Sequence, residues 1–204
     1  MNPAGPFRLC YITDRQALEP SALPTRIAEA ARTGVDLIQI REKDLATREL
    51  IELTRQAMES ARGTVARIVV NDRLDIALAT GAAGVHLGRE SLPASEVRRM
   101  APADLLVGVS CHSLEEVREA ESAGADYVLL GPIFATPSKL RYGPPLGVEK
   151  LREAARQVRI PILALGGITV ESARDCRAAG AAGIAAIRLF QESELIGDLV
   201  AALR

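Results

Sequence analysis

Polar and charged side chains stand directly after short apolar runs at several points of this 204-residue chain. They are Gln39 to Lys43, Asn71 to Arg73, Ser110, Thr136 to Lys139, and Gly166-Gly167. In a barrel of parallel strands, the residues that follow the strands meet at one end and line the active site. Converging arginine and lysine side chains neutralise a diphosphate. The pattern therefore predicts a site for a phosphorylated small molecule.

The positive charge of this predicted site comes from three side chains: Arg41, Lys43 and Lys139. Neutral hydrogen-bond donors are added by Asn71, Ser110, Thr136 and Ser138. Asp72 lies among the cations and could hold Mg²⁺, which takes one or two protein carboxylates together with water and phosphate oxygens. The alternative is a structural ion pair between Asp72 and Arg41 or Lys43, because such pairs also occur outside active sites.

A second phosphate site is indicated by Gly166-Gly167, where the backbone can come close to a ligand and phosphate oxygens can accept from N–H groups of the next helix. His86 alternates with apolar neighbours, so it either points into the barrel mouth or lies hydrogen-bonded among apolar side chains. No His/Cys cluster has zinc spacing, and no Ser/His/Asp order is evident. Hydrolysis through an activated nucleophile is the weaker hypothesis.

The elements that must position these residues are eight short runs rich in Val, Ile and Leu, each followed by a polar, alanine-rich stretch with helical periodicity. The runs are Leu9–Thr13, Leu37–Ile40, Ile68–Val70, Val85–Leu87, Leu106–Val109, Tyr127–Leu130, Ile162–Leu165 and Ile184–Ile187. Eight β/α units close a barrel, so we expect an α/β fold of the (β/α)8 TIM-barrel class. Pro137–Gly147 is predicted to be a long loop that could act as a lid.

Composition limits the function classes. The 25 Lys and Arg nearly cancel the 26 Asp and Glu, and aromatic residues are only 3%, so we expect no nucleic-acid or membrane partner. Cys10, Cys111 and Cys176 lack paired spacing, which favours a reducing cytoplasm. The length favours one compact barrel domain over residues 1–204. Homodimerisation through the outer helices is common among barrels and stays open.

The motif set resembles the thiamine phosphate synthase family and its relatives, the TenI-like thiazole tautomerases. The resemblance runs over essentially the whole chain. Its most specific pieces are Gln39–Lys43, Val70-Asn71-Asp72, Gly84 to Gly88, Gly108-Val109-Ser110, Gly131 to Phe134 with Thr136 to Lys139, and Gly166 to Thr169.

This resemblance implies a transferase that joins hydroxymethylpyrimidine diphosphate to thiazole phosphate and releases pyrophosphate. It implies that the diphosphate is held by Arg41, Lys43, Asn71, Ser110 and Lys139. It also implies that the pyrimidine contacts Gln39 and His86, that Glu42 belongs to the substrate-binding motif, and that Asp72 binds Mg²⁺. The thiazole phosphate would be held by Thr136, Pro137, Ser138, Gly167, the backbone near Ile187, and Arg188.

Two departures from the synthase pattern bear on this assignment. Synthases usually carry Gln, an acid and then Asp after the Gly88 motif, and that Asp is a second Mg²⁺ ligand. Here the run is Arg89-Glu90-Ser91, so Glu90 could substitute as the ligand or Arg89 could replace part of the metal's charge. Arg188 stands where a serine is usual, and it could either grip the thiazole phosphate or crowd it.

Two alternatives remain open from the sequence. The tautomerases need no Mg²⁺ but usually carry a catalytic His where this chain has Pro132. A non-catalytic barrel that binds a phosphorylated ligand is supported by Ser91 in place of the usual Asp, since fold and pocket alone do not establish turnover. Gly108-Val109-Ser110 and Lys139 favour the synthase.

Overall fold

The fold is a closed barrel of eight parallel strands, seen in a computed structural model that describes residues 8–19, 21–136 and 144–204. Each strand pairs with the next along the chain, and β8 pairs with β1. The strands are β1 (Leu9–Ile12), β2 (Leu37–Ile40), β3 (Arg67–Asn71), β4 (Gly84–Leu87), β5 (Leu106–Cys111), β6 (Tyr127–Leu130), β7 (Ile162–Leu165) and β8 (Gly183–Ala186). The predicted (β/α)8 class is confirmed, and strand bounds differ from prediction by at most two residues.

Helices connect the strands on the outside of the barrel. They are α1 (Ala22–Thr33), α2 (Thr47–Ala61), α3 (Leu74–Thr80), α4 (Ala94–Met100), α5 (Leu114–Ser122), α6 (Gly147–Ala155), α7 (Val170–Ala178), α8 (Arg188–Gln191) and α9 (Ile196–Leu203). A 3-10 turn at Arg15–Ala17 follows β1. Residues 137–143 of the predicted loop after β6 lie outside the described residues. In the described ranges, no helix is long and apolar enough to cross a bilayer.

Two apolar cores follow from the period-two alternation of side chains along each strand. Ile38, Val70 and Val85 point outward into a large core shared with the helices. Cys10, Leu37 and other inward residues fill the barrel interior. Because both faces of each strand are buried, the strand sequences are nearly continuous apolar runs.

The inward positions change from apolar to polar toward the carboxyl ends of β2 to β5. Leu37, Val69 and Leu106 fill the interior lower down, whereas the positions above them are polar. These upper positions are Gln39, Asn71, His86 and Ser110. The barrel therefore presents a packed floor and a polar mouth at the end where TIM-barrel active sites lie.

Candidate active site

The mouth has one polar and one apolar side. The polar side is formed by the inward residues of β2 to β5 named above, and neighbouring strands bring Asn71 opposite His86 in the ladder. The apolar side is formed by residues of β1, β7 and the segment after β8: Ile12, Leu165 and Ile187. Such a mouth suits a flat ring that has hydrogen-bonding groups along one edge.

A hydrogen-bond chain runs through the polar side. The Gln39 amide Nε2 donates to Asn71 Oδ1 at 2.8 Å, and Asn71 Nδ2 donates to Asp72 Oδ2 at 2.7 Å. Gln39 is only 2% exposed, and its Oε1 has no hydrogen-bond partner among the described residues. A buried acceptor without a donor is costly, so this atom calls for an N–H or O–H group from a ligand or a water molecule.

Asp72 is held by donors on both carboxylate oxygens. Its Oδ1 accepts from the Ser91 hydroxyl and, at 3.1 Å, from the backbone N–H of Gly88. Its Oδ2 lies 3.7 Å from Lys43 Nζ. Burial alone raises the pKa of Asp72, but the hydrogen bonds and the Lys43 charge outweigh burial, so the pKa lies below its ordinary value. The carboxylate is therefore ionised at neutral pH.

The donor set around Asp72 fits a Mg²⁺ ion only if a ligand supplies further oxygens. Within the described part of the chain, no group of three or more Asp, Glu, His or Cys side chains could hold a metal. Mg²⁺ commonly binds through one carboxylate, waters and substrate phosphates, which is the coordination that Asp72 and a bound diphosphate would offer. The predicted ion pair between Asp72 and Lys43 is also present. The structure is therefore compatible with both predicted roles of Asp72, as a Mg²⁺ ligand and as the partner of a structural ion pair.

The two described cations of the predicted set lie on the loop after β2. The backbone N–H of Arg41 donates to Thr13 Oγ1 at 2.9 Å, which ties this loop to the end of β1. The Arg41 guanidinium has no hydrogen bond or ion pair within the described ranges, and it lies close enough to His86 to lower the pKa of that ring. An unpaired guanidinium in a polar mouth is available to an anion. Lys139, Pro137 and Ser138 lie outside the described residues.

Glu42 lines a cavity of about 240 Å³ together with Lys43, Asn71 and Asp72. Both of its carboxylate oxygens accept from the backbone N–H of Arg15, at 3.2 and 3.0 Å. Burial raises the pKa of Glu42 although these hydrogen bonds oppose the shift. Glu42 therefore holds the segment after β1 against the loop after β2, a role that its sequence position did not indicate.

The loops after β6, β7 and β8 meet on the other side of the mouth. Gly167 packs so tightly against the loop after β6 that a Cβ there would lie 2.7 Å from the Ala135 carbonyl oxygen. Arg188 Nη2 donates to Thr136 Oγ1 at 3.3 Å, and Arg188 is exposed. Ile187 is half-buried beside it. The described residues of the predicted thiazole-phosphate set therefore lie on adjoining loops.

His86 points into the barrel rather than outward among the helices. It is 1% exposed, with Nε2 2.9 Å from Ser110 Oγ and Nδ1 3.2 Å from the Tyr127 hydroxyl. Burial lowers the pKa of His86 to about 4, so the ring is neutral at neutral pH. Tyr127 was not among the predicted site residues; its inward position beside Gly108 in the ladder was the available signal.

The remaining charges belong to the rim or to the opposite end. Arg73 pairs with Asp75, while Arg89 and Glu90 are exposed, and no described contact links Glu90 to Asp72. A groove of about 500 Å³, lined by Arg55, Arg62, Arg67 and others, lies at the amino ends of the strands. It is separate from the mouth described above.

Known proteins with similar sequences and structures identify the family of this chain. Residues 9–190 match the family model described as "Thiamine monophosphate synthase". The thiamine-phosphate synthase of Moorella thermoacetica is 46% identical over 173 residues, covering 84% of this chain and 80% of that protein. The Roseiflexus sp. thiamine-phosphate synthase is 41% identical over 185 residues, covering 91% and 78%.

A solved structure extends the similarity to three dimensions. The thiamine phosphate pyrophosphorylase from Pyrococcus furiosus superposes with a TM-score of 0.87 at 37% identity, covering 98% of this chain and 94% of that one. Sequence and structure therefore agree over nearly the full length of the chain. The chain belongs to the thiamine monophosphate synthase family.

Proposed function

We propose that this protein is a transferase that joins hydroxymethylpyrimidine diphosphate to thiazole phosphate, giving thiamine phosphate and pyrophosphate. The observation that carries the proposal is the Gln39–Asn71–Asp72 hydrogen-bond chain. It starts at a buried acceptor, Gln39 Oε1, that has no donor within the described ranges, and it ends at an ionised carboxylate. An aminopyrimidine offers an N–H group to the acceptor Gln39 Oε1. The diphosphate on its methylene then extends toward Asp72, Lys43 and Arg41.

The reaction breaks the bond between the methylene carbon and a diphosphate oxygen and forms a bond from that carbon to the thiazole nitrogen. The diphosphate departs with the electron pair of the broken bond, so its negative charge must be stabilised as it leaves. Arg41 and Lys43 supply positive charge there, and Ser110 and Asn71 supply neutral polar groups. Lys139 is proposed as a third cation.

Positioning is the second contribution of the chain. Thr136, Gly167 and Arg188 are proposed to hold the thiazole phosphate, with Pro137, Ser138 and the backbone of Ile187. The apolar side of the mouth would pack against the two rings and exclude water. Holding two reactants in line removes much of the entropic barrier to a bimolecular step.

Mg²⁺ is proposed to bind at Asp72 and to the diphosphate, where it would neutralise charge on the leaving group. Ser91 is a neutral neighbour of this site. The three buried free cysteines, Cys10, Cys111 and Cys176, support a proposed location in a reducing cytoplasm.

Pyrophosphate release by the purified full chain tests this proposal. We expect release only when both substrates and Mg²⁺ are present, because the thiazole nitrogen is the acceptor. Release without thiazole phosphate would identify a diphosphatase. Isomerisation of a carboxylated thiazole phosphate would identify a tautomerase, and binding of both substrates without any product would identify a binding protein. Any of these three results would overturn the proposal.

Gln39→Leu separates ring recognition from phosphate binding. Removing the Gln39 amide should weaken binding of the pyrimidine diphosphate at least about tenfold, since buried polar recognition of this kind discriminates strongly. Binding of inorganic pyrophosphate should change less than threefold, by roughly 0.7 kcal/mol at most. Equal losses for both ligands would mean that Gln39 does not contact the pyrimidine.

A further inference from the structure

A buried hydrogen-bond line connects the barrel interior to the mouth. Tyr127 is fully buried, and its hydroxyl lies 3.2 Å from His86 Nδ1. The opposite ring nitrogen, Nε2, lies 2.9 Å from Ser110 Oγ. Ser110 is half-buried at the polar side of the mouth. The imidazole therefore lies between a fully buried phenol and a half-buried hydroxyl at the mouth.

The lack of a side chain at Gly108 lets the Tyr127 hydroxyl approach His86. Gly108 lies between His86 and Tyr127 in the strand ladder. A Cβ at this position would lie 2.4 Å from the Tyr127 hydroxyl and 2.6 Å from His86 Nδ1. Real atoms do not approach so closely, so any side chain at residue 108 would displace the phenol or the imidazole.

The proton arrangement along the line has two self-consistent forms. A neutral imidazole carries one N–H and one lone pair, and His86 is 1% exposed with a neutral hydroxyl group beside each ring nitrogen. In one form, Tyr127 donates to Nδ1, Nε2–H donates to Ser110 Oγ, and the Ser110 proton points elsewhere. In the other, Nδ1–H donates to the Tyr127 oxygen, and the Ser110 hydroxyl donates to Nε2.

Only the first form leaves Ser110 able to donate to a bound anion. A diphosphate offers acceptors and no donors. A serine hydroxyl that already donates to Nε2 therefore has only lone pairs left, and these repel the diphosphate oxygens. Two hydrogen bonds are possible between the phenol and the imidazole: the phenol O–H can donate to Nδ1, or Nδ1–H can donate to the phenol oxygen. The first is the stronger, because the hydroxyl is weakly acidic and the imidazole nitrogen is basic. Donors and acceptors polarise one another along such a chain.

We propose that Tyr127 is a positioning residue that holds His86 in its Nε2–H tautomer, so that the Ser110 hydroxyl donates to the departing diphosphate. The identity of that anion rests on the function proposed above. The tautomer itself is a property of the protein alone. Tyr127 contacts no reacting atom, and it acts on the reaction only through His86 and Ser110.

Nitrogen NMR of the ligand-free protein tests the tautomer directly. The chain has two histidines, His86 and His112, so His112→Asn leaves a single imidazole to observe. At pH 7 we expect the proton on Nε2 and an unprotonated Nδ1. A proton on Nδ1 would overturn the proposal, whatever the protein's activity turns out to be.

Kinetics of Tyr127→Phe test the consequence. This variant keeps the ring and removes only the hydroxyl. We expect kcat for thiamine phosphate formation to fall about tenfold, the effect of losing the hydrogen bond to His86 Nδ1. The KM for thiazole phosphate should not change. In a Ser110→Ala background the same substitution should have little further effect, because the group that Tyr127 orients is absent.

Two results distinguish this inference from the proposed function. An equal loss from Tyr127→Phe in both backgrounds would show that the phenol acts through general packing, and would overturn the positioning role. Failure of the unmodified protein to form thiamine phosphate would overturn the proposed function, while the tautomer measurement would still decide whether Tyr127 sets the proton on His86.

Discussion

The Ser91 hydroxyl donates a hydrogen bond to Oδ1 of Asp72. The same hydroxyl oxygen accepts from the backbone N–H of Gly88 at 2.7 Å, and that N–H also lies 3.1 Å from Asp72 Oδ1. Asp72 thus has neutral donors where a second carboxylate would repel it. Protein groups therefore contact both carboxylate oxygens of Asp72.

Ser91→Asp should create a metal site that exists without diphosphate. A second carboxylate beside Asp72 raises the negative charge available to a divalent cation, so we expect Mn²⁺ to bind the ligand-free protein at least about tenfold more tightly, roughly 1.4 kcal/mol. Electron paramagnetic resonance of free Mn²⁺ measures this affinity. Ser91→Asn is the uncharged control and should not strengthen binding. Equal Mn²⁺ affinity in all three proteins would remove residue 91 from the metal's surroundings.

Arg41→Met should weaken binding of inorganic pyrophosphate strongly. The Arg41 guanidinium has no partner among the described residues, so a bound anion would be its charge-assisted partner, worth about 1.5–3 kcal/mol or roughly 10- to 150-fold in affinity. Arg89→Met is the matched control, because Arg89 is an exposed cation on the loop after β4. Titration calorimetry should show less than about a twofold change for that control. Similar losses from both variants would indicate general attraction by rim charge.

Arg188→Ser tests whether Arg188 binds the thiazole phosphate or hinders its binding sterically. Because Arg188 is exposed and already hydrogen-bonded to Thr136, we expect it to contact the thiazole phosphate. The KM for thiazole phosphate should then rise about tenfold in the variant, while the KM for the pyrimidine substrate stays unchanged. A lower KM for thiazole phosphate would show that Arg188 crowds the site.

His86 should make the protein less stable as the pH falls below about 6.5. The folded-state pKa is about 4, while the unfolded chain binds the proton near 6.5, so only the unfolded state gains a proton between these values. Burial is the main cause; Asp72 opposes the shift and Arg41 adds to it. The free energy of unfolding should therefore drop by roughly 2 kcal/mol from pH 7 to pH 5 on account of this group.

Urea unfolding at pH 7 and pH 5 measures this change in the free energy of unfolding. His86→Gln should lose less stability between pH 7 and pH 5 than the unmodified protein does, whereas His112→Gln should leave the difference unchanged. The comparison between variants is needed because Glu42, whose pKa is raised by burial, contributes with the opposite sign near the acid end. Identical pH dependence in His86→Gln would mean that His86 titrates normally in the fold.

The barrel could be predicted from the sequence because its strands are buried on both faces. Leu37–Ile40 and Tyr127–Leu130, for example, are continuous apolar runs, and their predicted bounds are those observed. Strand β5 runs two residues further than predicted, through Ser110 and Cys111. Ser110 interrupts the apolar run because it faces the mouth, although its backbone continues the ladder opposite Leu129.

The site was predicted as a set of residue types, and the sequence could not supply its internal contacts. The sequence predicted that Asn71 and Asp72 lie at the carboxyl end of a strand. The hydrogen-bond chain from Gln39 to Asp72 could not be predicted, because it joins side chains from different strands. Glu42 was counted with the substrate-binding residues, yet it bonds the backbone of Arg15, 27 residues away in the sequence. Tyr127 was predicted only as part of an apolar strand. Its hydroxyl reaches His86 because Gly108, on the strand between them, has no side chain, and this contact could not be predicted from the sequence.

Thiamine phosphate formation in a single turnover is the most direct test of the central claim. The purified full chain, in excess over hydroxymethylpyrimidine diphosphate and supplied with thiazole phosphate and Mg²⁺, is quenched and assayed by mass spectrometry. We expect thiamine phosphate and pyrophosphate in equal amounts, with product lost when a chelator removes the metal. Unchanged substrates under every metal condition, in a protein shown to bind both of them, would contradict the claim.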